Sequence, residues 1–199
     1  AREEITKNAV ALSKLGVSNE DFARGSQIAI KAMSQTGAQA AATQREIAAL
    51  GMDIGVAPSK MAADFANAGP QLAKFGSDGV RAFKDLAVAA KVTGIEVSRL
   101  MSITGQFDTF EGAATAAGKL NAALGGNFVN AMELVTATDP VERFNMIRDS
   151  ILDAGLSFDE MSYYQRKFFA EAAGLEGEAE LAALMSGNMD SLAGNIGKT

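Results

Sequence analysis

The sequence predicts an all-α protein: about ten short helices joined by glycine-containing turns, packed as an irregular bundle or array, with no sheet. Alanine makes up about a fifth of the 199 residues, and alanine is the best helix former. Apolar residues recur at helical spacing, as at Phe144, Ile147 and Ile151. No segment has the two-residue alternation, bounded by hairpin turns, that is typical of a half-buried strand.

A recurrent junction separates the predicted helices. An apolar stretch ends at a glycine, an apolar residue follows, and the next residue favours a helix start. The examples are Leu15-Gly16-Val17-Ser18, Leu50-Gly51-Met52-Asp53, Thr93-Gly94-Ile95-Glu96 and Ala154-Gly155-Leu156-Ser157. Glycine can adopt the left-handed conformation that ends a helix, and the apolar residue after it packs back on the last turn.

In the first half of the chain these signals predict six helices, at 2–15, 19–35, 38–50, 59–68, 79–92 and 96–103. Gly16 ends the first helix, Ser18 caps the second, and Gly51 ends the third. The segment Ala68-Gly69-Pro70 ends the fourth helix and is the first predicted hinge. Gly94 ends the fifth helix.

In the second half the predicted helices lie at 109–124, 127–136, 140–153, 158–173 and 178–186. The predicted N-caps are Asp108, Asp139 and Ser157. Asp108 and Ser157 are each followed three residues later by Glu, which is the spacing of a capping box. Asp139 precedes a proline at the first helical position, where a missing N–H costs nothing. Gly125-Gly126 is the second predicted hinge.

Charge predicts three regions. A near-neutral, alanine-rich helical region is predicted at 1–105, an acidic helical region at 106–186, and a glycine-containing tail or linker at 187–199. Residues 1–100 contain 12 basic and 10 acidic side chains, a net +2, whereas residues 101–199 contain 6 basic and 14 acidic, a net −8. An acidic surface repels phosphate backbones, so no stable nucleic-acid binding is predicted. No stretch approaches the roughly 20 apolar residues of a membrane span.

The absence of His and Cys removes the most common general bases, nucleophiles and metal ligands. We therefore predict no catalytic, cofactor-binding or metal-ligating residue, and no cofactor. An enzyme with a carboxylate pair, such as a peptidoglycan hydrolase using Glu111, Glu142 or Glu160, is a disfavoured alternative. These three glutamates are predicted to stabilise helix starts instead.

Aromatic side chains concentrate in one segment. The interface candidates are Tyr163, Tyr164, Phe168 and Phe169. Tyr164 and Phe168 share a helix face at i, i+4 spacing, which favours core packing, with a protein interface as the alternative. Base stacking next to Arg166 is disfavoured. Methionines at helical spacing predict core filling, or alternatively a Met/Phe-lined groove for a partner helix.

The chain resembles phage tail tape measure proteins. The similarity lies in the glycine junctions above and is strongest in FDTFEGAA at 107–114 and KLNAALGG at 119–126, continuing in AAGL at 172–175. The long continuous helix of that family is absent, because glycine interrupts the pattern frequently. The resemblance therefore implies a compact helical region rather than the segment that sets tail length.

This resemblance implies a non-enzymatic structural component of a phage tail, housed in the tail tube or at its hub. Its expected partners are further copies of itself, as a homo-oligomer, and other tail proteins such as the tube or the baseplate hub. Its expected location is the virion tail, assembled in the host cytoplasm. The alternative from a different functional class is a helical protein–protein interaction adaptor.

Overall fold

The computed structural model describes residues 2–137 and 139–186. Within these residues the chain is all-α, as predicted, and has no strand. The α-helices are α1 (Arg2–Ser13), α2 (Asn19–Ala32), α3 (Gly37–Ile54), α4 (Pro58–Leu72), α5 (Gly79–Thr93), α6 (Val97–Gly105), α7 (Phe110–Leu124), α8 (Ala131–Thr136), α9 (Pro140–Asp153), α10 (Tyr163–Ala172) and α11 (Glu178–Ser186), with 3₁₀-helices at Ala73–Asp78 and Phe158–Glu160. The predicted tail at 187–199 lies outside the described residues. None of the described helices combines the length and apolarity that a bilayer crossing requires.

The junction between α1 and α2 has the geometry of a glycine-terminated helix followed by a capped one. Gly16 has a φ of +89°, and the N–H of Val17 donates to the carbonyl of Leu12 at 3.1 Å. Val17 and Leu12 are both buried in one hydrophobic cluster. The hydroxyl of Ser18 then accepts a hydrogen bond from the N–H of Asp21 at 3.0 Å, so Ser18 is the N-cap of α2.

The prediction that Gly51 ends the third helix is wrong. Helix α3 continues to Ile54 and ends at Gly55, whose φ is +74°. The N–H of Val56 donates to the carbonyl of Gly51 at 2.7 Å. A Cβ on Gly51 would lie 2.6 Å from Cγ of Met61, so this glycine permits the close approach of α4 to α3.

Helix α4 runs past its predicted end at 68, through Gly69 and Pro70 to Leu72. Pro70 lacks an N–H donor, and its position close to the helix C-terminus limits the disruption. The non-helical backbone comes later, at Gly76, with φ +55° and ψ −128°. The break in the helical backbone is therefore at Gly76 rather than at the predicted Ala68-Gly69-Pro70 hinge.

The N-cap of α9 is the predicted residue, whereas the N-cap of α7 lies one residue after the predicted one. Asp139 Oδ1 accepts from the N–H of Val141 at 2.9 Å and is the N-cap of α9. The prediction that Asp108 caps α7 is wrong. Thr109, one residue later, accepts from the N–H of Gly112 at 3.1 Å and is the N-cap, which leaves the Asp108 carboxylate available for a tertiary contact.

The described residues divide into two compact units, one ending at Lys91 and the other beginning at Val92. This division lies in the last turn of α5, before the change in composition predicted at 105. In the first unit α2, α3 and α4 pack on one another and α1 packs on α3. Phe65 of α4 and Phe83 of α5 are fully buried and form an edge-to-face pair with ring centroids 5.1 Å apart.

The second unit is linked internally by one buried cation. Here α6 packs on α9, α7 packs on α8 and α10, and α10 packs on α11. Arg143 of α9 donates to the carbonyls of Leu134 at 2.9 Å and Thr104 at 3.0 Å, and to the carboxylate of Asp108 at 2.6 Å. The Leu134 carbonyl belongs to the last turn of α8, where helical N–H donors run out. The Thr104 carbonyl, in the last turn of α6, also accepts from the backbone N–H of Phe107 at 3.2 Å. Arg143 thus satisfies the C-terminus of α8 and ties it to the end of α6, a role that the sequence did not predict.

Candidate interaction surface on helix α10

Helix α10 starts later than predicted, and its cap differs. Ser157 precedes a 3₁₀-helix rather than α10, and its hydroxyl donates to Glu160 Oε2 at 2.8 Å. Ser157 thus occupies the N-cap position of the 3₁₀-helix without a hydrogen bond from its side chain to the helix backbone, and the prediction that it caps the helix containing Tyr163 to Ala172 is wrong. Ser162 forms a reciprocal capping box with Gln165: the Gln165 N–H donates to Ser162 Oγ at 3.3 Å, and the Ser162 N–H donates to Gln165 Oε1 at 2.8 Å. Two hydrogen bonds fix the start of α10 at Tyr163.

The aromatic side chains of α10 divide between two faces of the helix. Phe169 is only 2% exposed, whereas Tyr163, Tyr164 and Phe168 are 61%, 80% and 50% exposed. The rings of Tyr163 and Tyr164 contact each other edge to face, with centroids 5.5 Å apart. Clustered exposed aromatic side chains are typical of protein interaction sites. We call Tyr163, Tyr164 and Phe168 the α10 aromatic surface.

The favoured prediction, that Tyr164 and Phe168 pack in the core, is wrong. Their i, i+4 spacing does place them on one face, but the buried residues of α10 are Phe169, Ala170 and Ala172. Successive residues of a helix are rotated by about 100°, so an error of one residue exchanges the exposed face for a buried one. No signal within α10 identifies the buried face, because that face is decided by α7 and α11, which pack against this helix.

Arg166 is engaged with the 3₁₀-helix that precedes α10. Its Nε donates to the carbonyl of Phe158 at 3.0 Å, and its guanidinium lies over the Phe158 ring, 4.1 Å from the centroid. The neighbouring Lys167 is exposed. One exposed lysine is not the positively charged track with which proteins follow a single nucleic-acid strand. The surface therefore fits a protein partner better than a nucleic acid.

A polar cleft of about 370 Å³ lies between α7 and α10. Glu111 and Lys119 line it from α7, and Glu171 lines it from α10. Gln106 lies at its edge and donates from Nε2 to the carbonyl of Ala173 at 2.8 Å, which satisfies the C-terminus of α10.

The three glutamates considered for a carboxylate pair occupy different environments. Glu111 lines the α7–α10 cleft, whereas Glu142 and Glu160 are not among its lining residues. Glu160 accepts a hydrogen bond from Ser157, and Glu142 is exposed in the first turn of α9. In the part of the chain that the structure describes, no group of three or more carboxylates is arranged to hold a metal ion.

Arg99 links α6 to α11 through a bidentate ion pair. Its Nε and Nη2 donate to the two carboxylate oxygens of Glu180 at 3.0 and 3.1 Å, and Nη2 also donates to the carbonyl of Gly174 at 3.2 Å. The N–H of Glu176 donates to Glu180 at 2.8 Å. Burial by itself raises the pKa of Glu180, but the hydrogen bonds and the charge of Arg99 outweigh it and hold this pKa below its ordinary value.

We expect the second unit to lose stability as the pH falls below about 4.5, the ordinary pKa of a Glu carboxyl. The unfolded chain binds a proton at Glu180 more readily than the folded chain, so the ion pair stabilises the fold above that pH and is lost as the pH falls through the lower folded pKa. Thermal melting of Glu180→Gln between pH 7 and pH 3 should show a smaller loss over this window than the wild type. Glu171→Gln, at an exposed carboxylate, is the control; if both variants follow the wild-type pH profile, the ion pair does not contribute.

Comparison with known proteins identifies no relative. No protein-family model, no curated protein and no solved structure matches this chain. A functional interpretation therefore depends on the resemblance in the sequence and on the geometry of the exposed surfaces.

Proposed function

We propose that this chain is a non-enzymatic structural component of a phage tail, a compact helical segment similar to part of a tape measure protein. On this proposal it is housed in the tail tube or at its hub, in several copies, in virions assembled in the host cytoplasm. The resemblance of residues 107–114 and 119–126 to tape measure proteins carries the tail assignment. The α10 aromatic surface supports it as the site where we expect the tube or baseplate hub protein to bind.

The α10 aromatic surface has the properties of a binding hot spot. Its aromatic groups are held on a helix whose start is fixed by the Ser162–Gln165 capping box. Phe169 and Ala170, buried beneath it, anchor the helix to the rest of the second unit. Tyrosine and phenylalanine have few rotatable bonds, so they lose little entropy when a partner covers them. A partner that buried this surface would gain affinity mainly from a few side chains.

The short helices, with small side chains at some of their contacts, are compatible with passage of the chain through a narrow tube. Short helices meet through small side chains: Ala113, Ala116 and Ala117 are buried on α7. Alanine buries little apolar area, so the contacts made through these three side chains are weak and can be broken at low cost. The sequence has no Cys, so no disulfide opposes unfolding. These features support a chain that folds compactly and yet unfolds when it is expelled.

We expect the double substitution Tyr164→Ser and Phe168→Ser to weaken binding to the tube or hub protein by between about 30-fold and about 1,000-fold, since one hot-spot side chain contributes about 2 kcal/mol and two contribute up to about 4 kcal/mol. The measurement is a pull-down titration with purified tail proteins, accompanied by circular dichroism to verify folding. The matched control, Val10→Ser with Met52→Ser, also removes two exposed apolar side chains and should bind as the wild type does. Equal binding by the wild type and the α10 double variant would contradict this role for the surface.

The second candidate is a helical adaptor with a Met/Phe-lined groove. Met33, Met61 and Met101 are buried and fill the helical cores, whereas Met146 lines a cleft beside Phe128. Retention of a host protein from a phage-free extract, lost in Phe128→Ser but kept in the α10 double variant, and without any binding to tube or hub protein, would favour the adaptor.

A further inference from the structure

The first unit has an apolar groove between α2 and α4, with a volume of about 320 Å³. Its apolar lining includes Ile28, Ala66, Pro70 and Ala73. Ile28 lies directly against Gly69: a Cβ on that glycine would be 2.0 Å from Cδ1 of Ile28. The missing side chain at Gly69 therefore lets the two helices approach and shapes the floor of the groove. We call this feature the α2–α4 groove.

The charged side chains that line the α2–α4 groove are both cations. Arg24 and Lys31 lie on α2, about 10 Å apart along the helix axis at 1.5 Å per residue. Arg24 donates to Asn67 Oδ1 at 3.0 Å and pairs with Asp21 at 3.7 Å, which offsets part of its charge, and its side chain is still 46% exposed. Lys31 is also exposed. An apolar floor with a cationic rim is complementary to an apolar side chain surrounded by carboxylates.

The second unit presents such a surface. Phe128 is 41% exposed, and it lines a cleft with Glu133, Met146, Asp149 and Asp153. We call these five residues the Phe128 surface. Arg148 pairs with Asp149 at 3.2 Å and offsets one of the three negative charges, so the surface stays acidic.

The loop that carries Phe128 is fixed by one asparagine. Asn121 Oδ1 accepts from the N–H groups of Phe128 at 2.9 Å and Val129 at 2.7 Å, and its Nδ2 donates to the carbonyl of Val129 at 2.8 Å. The Ser150 hydroxyl donates to the carbonyl of Phe128 at 3.1 Å. The Phe128 surface is thus formed before any partner binds, which lowers the entropic cost of association.

We propose that this chain associates head to tail, with the α2–α4 groove of one copy receiving the Phe128 surface of a second copy. The apolar groups of the two surfaces are buried together, and Arg24 and Lys31 face the carboxylates of the neighbour. The uneven charge of the chain, net +2 in residues 1–100 and net −8 in residues 101–199, favours this arrangement over a symmetric one that would place like charges together. A heterologous contact leaves one free surface on each of the two outer copies, so further copies can add until an open chain or a closed ring is formed.

The proposed function places several copies of this chain in one tail, and head-to-tail association describes how those copies would contact one another. Its biological setting therefore rests on the proposed function. The contact itself concerns the purified chain alone. Failure of self-association in solution would therefore leave binding to tube or hub protein intact, and failure of the tail assignment would leave self-association intact.

Two variants that each remove one surface provide the test. Ala73→Glu places a negative charge in the groove, and Phe128→Glu removes the apolar centre of the acidic surface. Sedimentation velocity of the wild type should show species that grow with protein concentration and shrink at high salt. Each variant alone should associate at least about tenfold more weakly. Their equimolar mixture should form a 1:1 dimer, because one variant keeps an intact groove and the other keeps an intact Phe128 surface.

The controls make the same charge change at exposed positions outside both surfaces. Ala49→Glu on α3 and Phe110→Glu on α7 should associate as the wild type does. Phe128→Ser replaces Phe128→Glu if circular dichroism shows that the latter is unfolded. A wild type that is monomeric at all concentrations, a mixture of the two variants that stays monomeric, or wild-type association by either variant alone would overturn the proposal.

Discussion

Replacing Arg143 by alanine is expected to lower the free energy of unfolding by about 2–4 kcal/mol, because each buried polar group left without its partner costs about 1–3 kcal/mol. The side chain is 7% exposed and donates to the carbonyls of Thr104, Leu134 and Val135, and to Asp108. Without it, the Leu134 and Val135 carbonyls in the last turn of α8 lose their side-chain donor, and the tie between α8 and the end of α6 is lost. Urea unfolding followed by far-ultraviolet circular dichroism measures the loss.

Two further substitutions separate the capping of carbonyls from the ion pair. Arg143→Lys keeps the charge but not the planar group of donors, and we expect it to recover less than half of the lost stability. Asp108→Asn keeps every bond from Arg143 to a carbonyl, and because the Asp108 side chain is 40% exposed we expect it to cost at most about 1 kcal/mol. If Asp108→Asn costs as much as Arg143→Ala, the ion pair and not the capping holds the unit together.

The same substitution at two glycines of α7 is expected to change stability in opposite directions. A Cβ on Gly112 would lie 2.1 Å from the backbone oxygen of Gln106 and 3.1 Å from the capping hydroxyl of Thr109. Because a backbone oxygen cannot move aside cheaply, Gly112→Ala should destabilise the protein by about 2–3 kcal/mol. Around Gly118 nothing lies within 4 Å of the Cβ position, so Gly118→Ala should stabilise it by about 0.5–1 kcal/mol.

Urea midpoints of the two variants and the wild type, measured side by side, test this pair. Helix propensity is the same for both substitutions, so the difference between them reports the close approach at Gly112 alone. Stabilisation by Gly112→Ala would mean that the chain before α7 moves freely and that the tight entry into this helix is absent.

The features that could be predicted from the sequence are those decided within a few residues. Gly16 and Ser18 act through hydrogen bonds that span three to five residues, and such patterns can be read directly from the chain. The N-cap of α10 was mispredicted because two nearby serines could each cap a helix. Ser157 and Ser162 both precede helix-forming residues, and the capping box with Gln165 decides in favour of Ser162.

The features that could not be predicted depend on distant parts of the chain. Arg143 stands among apolar residues of α9, one residue before the buried Phe144, and a cation at such a position indicates a buried partner. The sequence does not identify these partners, because Thr104 and Asp108 are 39 and 35 residues away from Arg143 along the chain. The exposed face of α10 was mispredicted for the same reason: helical spacing defines a stripe, and only the packing of neighbouring helices decides which stripe is buried.

Mass spectrometry of purified particles tests the central claim, that this chain is a structural part of a phage tail, most directly. Particles released by the strain that encodes the sequence would be purified by density gradient, separated into heads and tails, and digested with a protease. The proposal predicts peptides of this chain in the tail fraction, in several copies for each tail. Their absence from particles, while the chain is abundant in the lysate of the same cells, would contradict it.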